Sequence, residues 1–209
     1  MTKLTFIIAL VSYLLGSIPF GYLLVRIFRG EDVRQTGSGN IGATNVARTG
    51  SKGLGIATLL LDAVKGYAAV KFAFWLAGSG RFEIGSNTIF LLAALAAFCA
   101  ILGHVFTVWL RFKGGKGVAT AVGAFAALAP RAIVVALVLF VIVVALTRYI
   151  SLGSTVAAAA FPAFVWWLGP AESTTAPILL LIAASSLLII VRHKDNIRRL
   201  LAGTENRWR

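Results

Sequence analysis

The sequence predicts an all-α, polytopic membrane protein with about seven transmembrane helices, and two observations carry that prediction. Hydrophobic side chains make up 59% of the 209 residues and charged ones only 13%, about half the charged share of a water-soluble domain. The formal charge is nonetheless +13, and the cations punctuate apolar runs long enough to cross a bilayer instead of lying on one hydrated face, as they would in a nucleic-acid binder. A soluble globule and a nucleic-acid partner are both excluded.

The first apolar run, Leu4 to Val25, would be about 33 Å long as a helix, enough to span a hydrocarbon core of about 30 Å. It is too long, and too weakly basic at its start, for a secretory signal, and no small-residue cleavage site ends it. It reads as the first transmembrane helix. Further runs follow at 53–77, 88–110, 117–129, 132–147, 152–168 and 176–191, divided by Gly, Pro, Arg or Lys. Gly117 to Thr147 would make one helix of about 46 Å, but Pro130-Arg131 in its middle predicts a break. Each half is then short for a span and has to be shielded by its neighbours or by a thinner bilayer.

Parity supports the split. With seven segments, one side receives Arg26, Arg29, Arg34, Arg48, Lys52, Arg111, Lys113, Lys116, Arg148, Arg192, Lys194, Arg198, Arg199, Arg207 and Arg209, and the other receives Lys3, Arg81 and Arg131. The richer side is cytoplasmic by the positive-inside rule, which puts the N-terminus outside and the C-terminus in the cytoplasm. Six segments would strand the basic tail outside. No repeat or inverted symmetry is visible, so residues 1–209 read as a single membrane domain. Ala93-Ala94-Leu95-Ala96-Ala97 and Ala157 to Ala160 predict close helix approach. The lone Cys99, inside an apolar run, reads as a packing residue.

The polar segments on the basic side carry the chemistry. The first, Thr36 to Arg48, combines glycines with hydroxyls, amides and a guanidinium. Such a loop can turn backbone N–H groups inward as an anion nest, with Ser38, Asn40, Thr44 and Asn45 as side-chain donors and Arg48 as a forked cation. A flexible linker is the plain alternative. Gly37-x-Gly39-x-x-Gly42 matches the dinucleotide fingerprint only formally, because it lacks the strand, helix and βαβ unit that the fingerprint needs.

In the second segment Lys113 and Lys116 flank Gly114-Gly115 and open the next helix, so glycine N–H groups, a helix N-terminus and two ammonium groups are expected to converge on a phosphate. The Walker A spacing is absent, and topology-setting cations alone would explain the charge but not the glycines. In the tail, His193, Asn196, Ile197 and Leu200 fall near one helical face, whether to meet the loops or to lie on anionic headgroups. Asp62 and Lys65 share a face inside the second span, where ionisable groups pair or line a site. His104 ends the third span as a base or as a hydrogen-bonded core residue.

Together these segments resemble the bacterial membrane enzymes that acylate glycerol 3-phosphate with an acyl phosphate. The first family motif resembles Gly37-Ser38-Gly39-Asn40-Ile41-Gly42-Ala43-Thr44-Asn45 with Arg48. The second is similar to Gly103-His104-x-Phe106 running on to Phe112-Lys113-Gly114-Gly115-Lys116-Gly117-Val118-Ala119-Thr120. The third is similar to His193-x-x-Asn196-Ile197-x-Arg199-Leu200-x-x-Gly203-x-Glu205. The likeness extends to Leu61-Asp62-x-x-Lys65-Gly66 and Ser151-Leu152-Gly153-Ser154, and it departs at Thr107, where the family usually has proline.

The resemblance implies seven helices in the bacterial cytoplasmic (inner) membrane, motifs facing the cytoplasm, and lysophosphatidic acid and inorganic phosphate as products. It implies glycerol 3-phosphate and acyl phosphate as substrates, membrane lipid as surroundings, and neither metal nor cofactor. Related acyltransferases pair a histidine with an aspartate five residues on, but here Trp109 follows His104 and Arg198 follows His193 at that spacing. An acyl phosphate is already activated, so the base could be His193, His104 or a substrate phosphate oxygen. The last is preferred, with His193 and Asn196 positioning the acceptor. The rival reading is a carrier of a phosphorylated metabolite or anion, which should hold its charged site near the midplane on broken helices.

Overall fold

The computed structural model describes residues 1–48 and 51–208, and among these all regular structure is helical. The first apolar run departs from expectation. It forms α1 (Thr2–Ser17) and α2 (Phe20–Arg29), broken at Ile18-Pro19. Proline has no N–H to donate and keeps the residue before it out of the helical region, and Ile18 accordingly sits at φ −59°, ψ 115°. Helix α2 carries Arg26 and Arg29 in its last turn, leaves Ile27 and Phe28 exposed, and stops at Gly30 in the left-handed region.

A short α3 (Ala43–Arg48) precedes α4 (Lys52–Ala77), whose first turn is capped by Ser51 accepting from the Leu54 N–H. Then come α5 (Ser86–Val105), α6 (Val118–Leu128), α7 (Pro130–Thr147), α8 (Ile150–Leu168), α9 (Ala176–Arg192) and α10 (Lys194–Leu201). The break expected at Pro130 is present: Ala129 is extended at φ −143° and Pro130 is the first residue of α7, where its missing N–H costs nothing. With 11 residues, α6 is about 16 Å long and does not cross a bilayer core by itself.

Among the described residues five segments are long and apolar enough to cross a membrane, counting Thr2–Arg29 as one, and six if α9 and α10, bent by 55°, are taken together. The chain is a multi-pass integral membrane protein. Phe6, Leu60, Val64, Val138, Trp167 and Leu180 stand exposed around the bundle, an apolar surface suited to lipid. Inside it, close approach replaces the hydrophobic drive that water would supply. Gly16 lies against the Ala100 carbonyl and Gly103 against that of Tyr13, which joins α1 to α5. Gly66 lies against Thr120 and Gly123 against Ala63, which joins α4 to α6. A Cβ at any of the four would overlap backbone.

Candidate functional site at one end of the bundle

The bend between α9 and α10 is the centre of the site. His193 occupies the bend, almost wholly buried, with Nδ1 2.8 Å from the Ile189 carbonyl. A carbonyl only accepts, so Nδ1 carries the proton and Nε2 is the nitrogen left for other work. One turn on, Asn196 is caught between two charges: its Oδ1 accepts from Lys116 Nζ at 2.6 Å and its Nδ2 donates to Glu205 Oε1 at 2.7 Å. Glu205 also accepts from Ser151 Oγ at 2.8 Å and from Arg199 Nε at 2.7 Å. This chain of contacts joins the second and third motifs to the start of α8.

Burial pushes Lys116 down to about 8; Glu205 works against that shift, while Arg199, Arg48 and Arg192 add to it. Arg48 of the first motif is therefore close enough to act on Lys116, and all three motifs meet at this end. Burial tends to raise the Glu205 carboxyl, but hydrogen bonds from Asn196, Ser151 and Arg199 outweigh it and hold the pKa below the usual range. The corner thus sets Arg199 directly on the Glu205 carboxylate and Lys116 beside it through Asn196, with Arg48 and Arg192 acting on Lys116 from farther off. It retains net positive charge for an anion.

The second segment differs from expectation in how it uses its glycines. The Gly114 N–H donates to the Val105 carbonyl and the Gly115 N–H to that of His104, both at 3.0 Å. Those N–H groups are committed to the end of α5 and do not point at a ligand. What glycine provides is room, since a Cβ on Gly114 would overlap the His104 carbonyl and one on Gly115 the His104 ring. Lys113 is exposed, whereas Lys116 is half-buried at the network. His104 itself is interior, with Nδ1 3.2 Å from Thr120 Oγ1 and 3.6 Å from Asp62 Oδ1. It fits the core-residue alternative, not that of an open base.

The first segment also spends donors on itself. Asn45 is buried; its Oδ1 accepts the Ser38 N–H at 2.8 Å, and its Nδ2 donates to the carbonyls of Asn40 at 2.8 Å, Thr36 at 3.0 Å and Val33 at 3.1 Å. Asn40 Oδ1 accepts from the Gly42 N–H at 2.8 Å. These amides, expected as ligand donors, hold the loop's shape. Gly37, at φ 57°, packs against the Asn45 amide, and Gly21 of α2 gives way to the Ile41 carbonyl. Val25, Val33, Ile41, Val46 and Leu110 form a small apolar cluster beneath. Ser38, Thr44 and Arg48 remain exposed on the shaped loop.

An apolar groove between α6, α7, α8 and α9 runs up to this end, lined by Val118, Phe125, Phe140, Phe161 and Ile189, with Ser154 beside them. Ile189 belongs both to the groove and, through its carbonyl, to the seat of His193. Sequence reasoning quoted Glu205, Arg199 and Ser151 in the resembled segments but placed none of them in the site, and it treated Arg192 as topology alone. One of only two acids in a basic tail, Glu205 was the available signal. Arg192 lies over the Phe106 ring at 5.9 Å, with Nε buried and lacking a hydrogen-bond partner among the described residues. Arg209, tallied with the basic tail, lies outside the described residues. Among the described residues no three His, Cys, Asp or Glu side chains are grouped to hold a metal ion.

A helical membrane protein whose polar, cationic corner opens onto an apolar groove is built to bring a phosphorylated molecule to a lipid chain. The family profile for glycerol-3-phosphate acyltransferase matches residues 6–203. A glycerol-3-phosphate acyltransferase of Rhodopseudomonas palustris (strain BisB5) is 52% identical over 203 residues, 97% of this chain and 95% of that protein. One from Geobacter sulfurreducens is 48% identical over 210 residues, 97% of each. Two crystal structures of PlsY, an integral membrane glycerol 3-phosphate acyltransferase, share the fold. Its glycerol 3-phosphate form has a TM-score of 0.84 at 34% identity, covering 98% of this chain and 96% of that one. Its lysophosphatidic acid form has a TM-score of 0.81 at 33% identity, covering 97% and 94%. The chain belongs to the glycerol-3-phosphate acyltransferase family.

Proposed function

We propose that this acyltransferase takes its acyl group from an acyl phosphate and releases 1-acyl-glycerol 3-phosphate and inorganic phosphate at the cytoplasmic face of the bacterial inner membrane. Seven membrane segments with the N-terminus outside complete the reading: α6, too short to cross alone, pairs with α7 as the fourth and fifth, and the basic ends then share the cytoplasm. The observation that carries it is the union of Lys116, Asn196 and Glu205 with the mouth of the apolar groove. A lipid chain in the groove would present its acyl phosphate to the cations.

The primary hydroxyl of glycerol 3-phosphate attacks the carbonyl carbon, the bond from that carbon to the phosphate oxygen breaks, and inorganic phosphate departs. The hydroxyl proton passes to a substrate phosphate oxygen, because His193 has no carboxylate against its ring among the described residues, and His104, which faces Asp62 at 3.6 Å, is enclosed in the core. Asn196 holds Lys116 in place, and His193 Nε2 accepts from the second hydroxyl of glycerol 3-phosphate, which orients the acceptor and leaves the primary hydroxyl's proton to the phosphate. Lys116, Arg48 and Arg199 stabilise charge on the departing phosphate, and Ser38 and Thr44 border the acceptor. The related structures in glycerol 3-phosphate and lysophosphatidic acid forms support the choice of acceptor and product class.

The test is purified protein with radiolabelled glycerol 3-phosphate and, side by side, palmitoyl phosphate or palmitoyl-coenzyme A, with and without chelator. Turnover with the acyl phosphate, indifferent to chelator and nearly absent with the thioester, is expected. Equal rates with the thioester would remove the donor assignment.

A further inference from the structure

Two charged side chains lie deep in the bundle where the reaction has no use for them. Lys65 and Asp62 of α4 are almost fully buried, Lys65 Nζ 2.8 Å from Asp62 Oδ1. Were mutual neutralisation their whole role, each would need only the other. Each reaches further. Lys65 Nζ also donates to the Ile18 carbonyl at 2.7 Å and sits 5.7 Å from the centre of the Phe20 ring. Ile18 is the residue at the break between α1 and α2, and its carbonyl, which also accepts the Phe20 N–H at 3.1 Å, is outside the regular helix ladder that Pro19 interrupts.

The same Asp62 Oδ1 lies 3.6 Å from His104 Nδ1, a charge contact longer than a hydrogen bond, and Thr120 Oγ1 of α6 approaches that nitrogen at 3.2 Å. The His104 ring is the surface on which Gly115 rests, and its carbonyl receives the Gly115 N–H. A parallel tie runs just above, from Thr107 Oγ1 to the Ser17 carbonyl at 2.5 Å. The last carbonyls of α1 are thus held by side chains from α4 and from the segment after α5.

We propose that Asp62 and Lys65 are positioning residues, one ion pair that fixes the roots of two motif-bearing segments against each other. Lys65 pins the α1–α2 break that leads into the first loop, and the buried Asp62 carboxylate, held by Lys65, sets the charge that faces the histidine against which the second segment, and with it Lys116, is laid. The consequence for turnover rests on the acyl-transfer reading above; the geometric consequence does not. A 1 Å error in such a register is able to cost about a hundredfold in rate without touching a reacting atom.

The test replaces the pair by neutral groups of similar size, Asp62→Asn with Lys65→Met, which leaves no unpaired charge behind and so spares the fold. Spin labels on Gln35→Cys and Trp109→Cys in a Cys99→Ala background report the distance between the two segments with no substrate present. The expected result is a broadened distance distribution at an unchanged melting temperature, with kcat/KM for glycerol 3-phosphate reduced about tenfold to a hundredfold. Lys65→Arg, which keeps a cation able to reach both Asp62 and Ile18, is expected to narrow the distribution again and to recover part of the rate. Asp62→Asn alone is the harsher arm, because it leaves the Lys65 ammonium buried without its counter-charge, and at least as much broadening is expected there with a lowered melting temperature. A distribution as narrow as the parent's in both Asn-bearing variants overturns the proposal whatever the activity does. Broadening that arises only together with a lowered melting temperature also overturns it, because the pair would then serve stability alone.

Discussion

The first loop and the α9–α10 corner contain the same kinds of residue and use them in opposite ways. In the loop, the Asn45 side chain satisfies four backbone groups of its own segment. In the corner, Asn196 touches no backbone and instead bridges a cation to a carboxylate. The difference lies in what surrounds each amide. Asn45 is enclosed by carbonyls that a tight, glycine-bent turn turns inward, whereas Asn196 projects from a regular helix whose backbone is already satisfied. An amide in a loop shapes the loop, and an amide on a helix at a bend is free to organise charge.

Asn45→Ala should give the largest effect and is the sharpest test of that contrast. It leaves the Ser38 N–H and three carbonyls, the Val33 one buried, to find new partners, so a loss of about 2 kcal/mol in stability is expected, visible as a lower melting temperature in detergent. Activity should fall with it. Lys116→Met should do the reverse, lowering activity about tenfold to a hundredfold by removing a charge-assisted contact to phosphate without lowering the melting temperature, since the fold disfavours the charged lysine. Arg48→Ala should resemble Lys116→Met, whereas the exposed Lys113→Ala should lose less and Lys3→Ala nothing. If Asn45→Ala melts like the parent, or Lys116→Met unfolds, the two regions are not distinguished in this way.

How much of this was legible in the sequence follows from which forces are local. Every apolar run became helix over most of its length, although that at 88–110 leaves the α-helix after Val105, and the proline break at 129–130 fell where expected, because hydropathy and a missing N–H act within a few residues. The break at Ile18-Pro19 has the same cause and was overlooked, since hydropathy runs through it unchanged. Convergence of the three motifs was readable from parity and charge. The destinations of individual donors were not: whether the Gly115 N–H meets a ligand or the His104 carbonyl depends on how deeply the second segment sinks beside α5. The Asp62–Lys65 spacing announced a pair, but the carbonyl at Ile18 is reached only through the packing of α4 on α1.

A subtler effect follows from the low pKa of Lys116, about 8 against an ordinary 10.5, which burial chiefly causes. The sign differs between folding and binding. Because the fold disfavours the charged lysine, its stability penalty is present below about pH 8 and is relieved as pH rises from there toward 10.5. A phosphate monoester, doubly charged above about pH 6, needs the cation, so affinity should fall as pH passes 8, by at most about tenfold per unit. Isothermal titration of glycerol 3-phosphate between pH 7 and pH 9.5 should show the loss in the parent, and Lys116→Met should flatten it. The corner alone should behave so, since no lysine stands in the first loop. A parent curve flat through pH 9 would place another group on the phosphate.

The smallest expected effect concerns Thr107, where the resembled family usually carries proline. Thr107 already sits at φ −66°, which a proline ring would adopt without strain, so the bend after α5 does not depend on which residue stands there. Threonine adds the hydroxyl that donates to the Ser17 carbonyl. Thr107→Val should therefore cost about 1 kcal/mol, the worth of one buried hydrogen bond. Thr107→Pro loses the same bond but regains about 0.4–1 kcal/mol by restricting the unfolded chain, so it should melt close to the parent and above the valine variant. Activity should change little in either, because Lys65 still holds the neighbouring Ile18 carbonyl. If proline instead melted below valine, the Thr107 N–H would have to matter more than its hydroxyl, and the tie between the second segment and α1 would run through backbone.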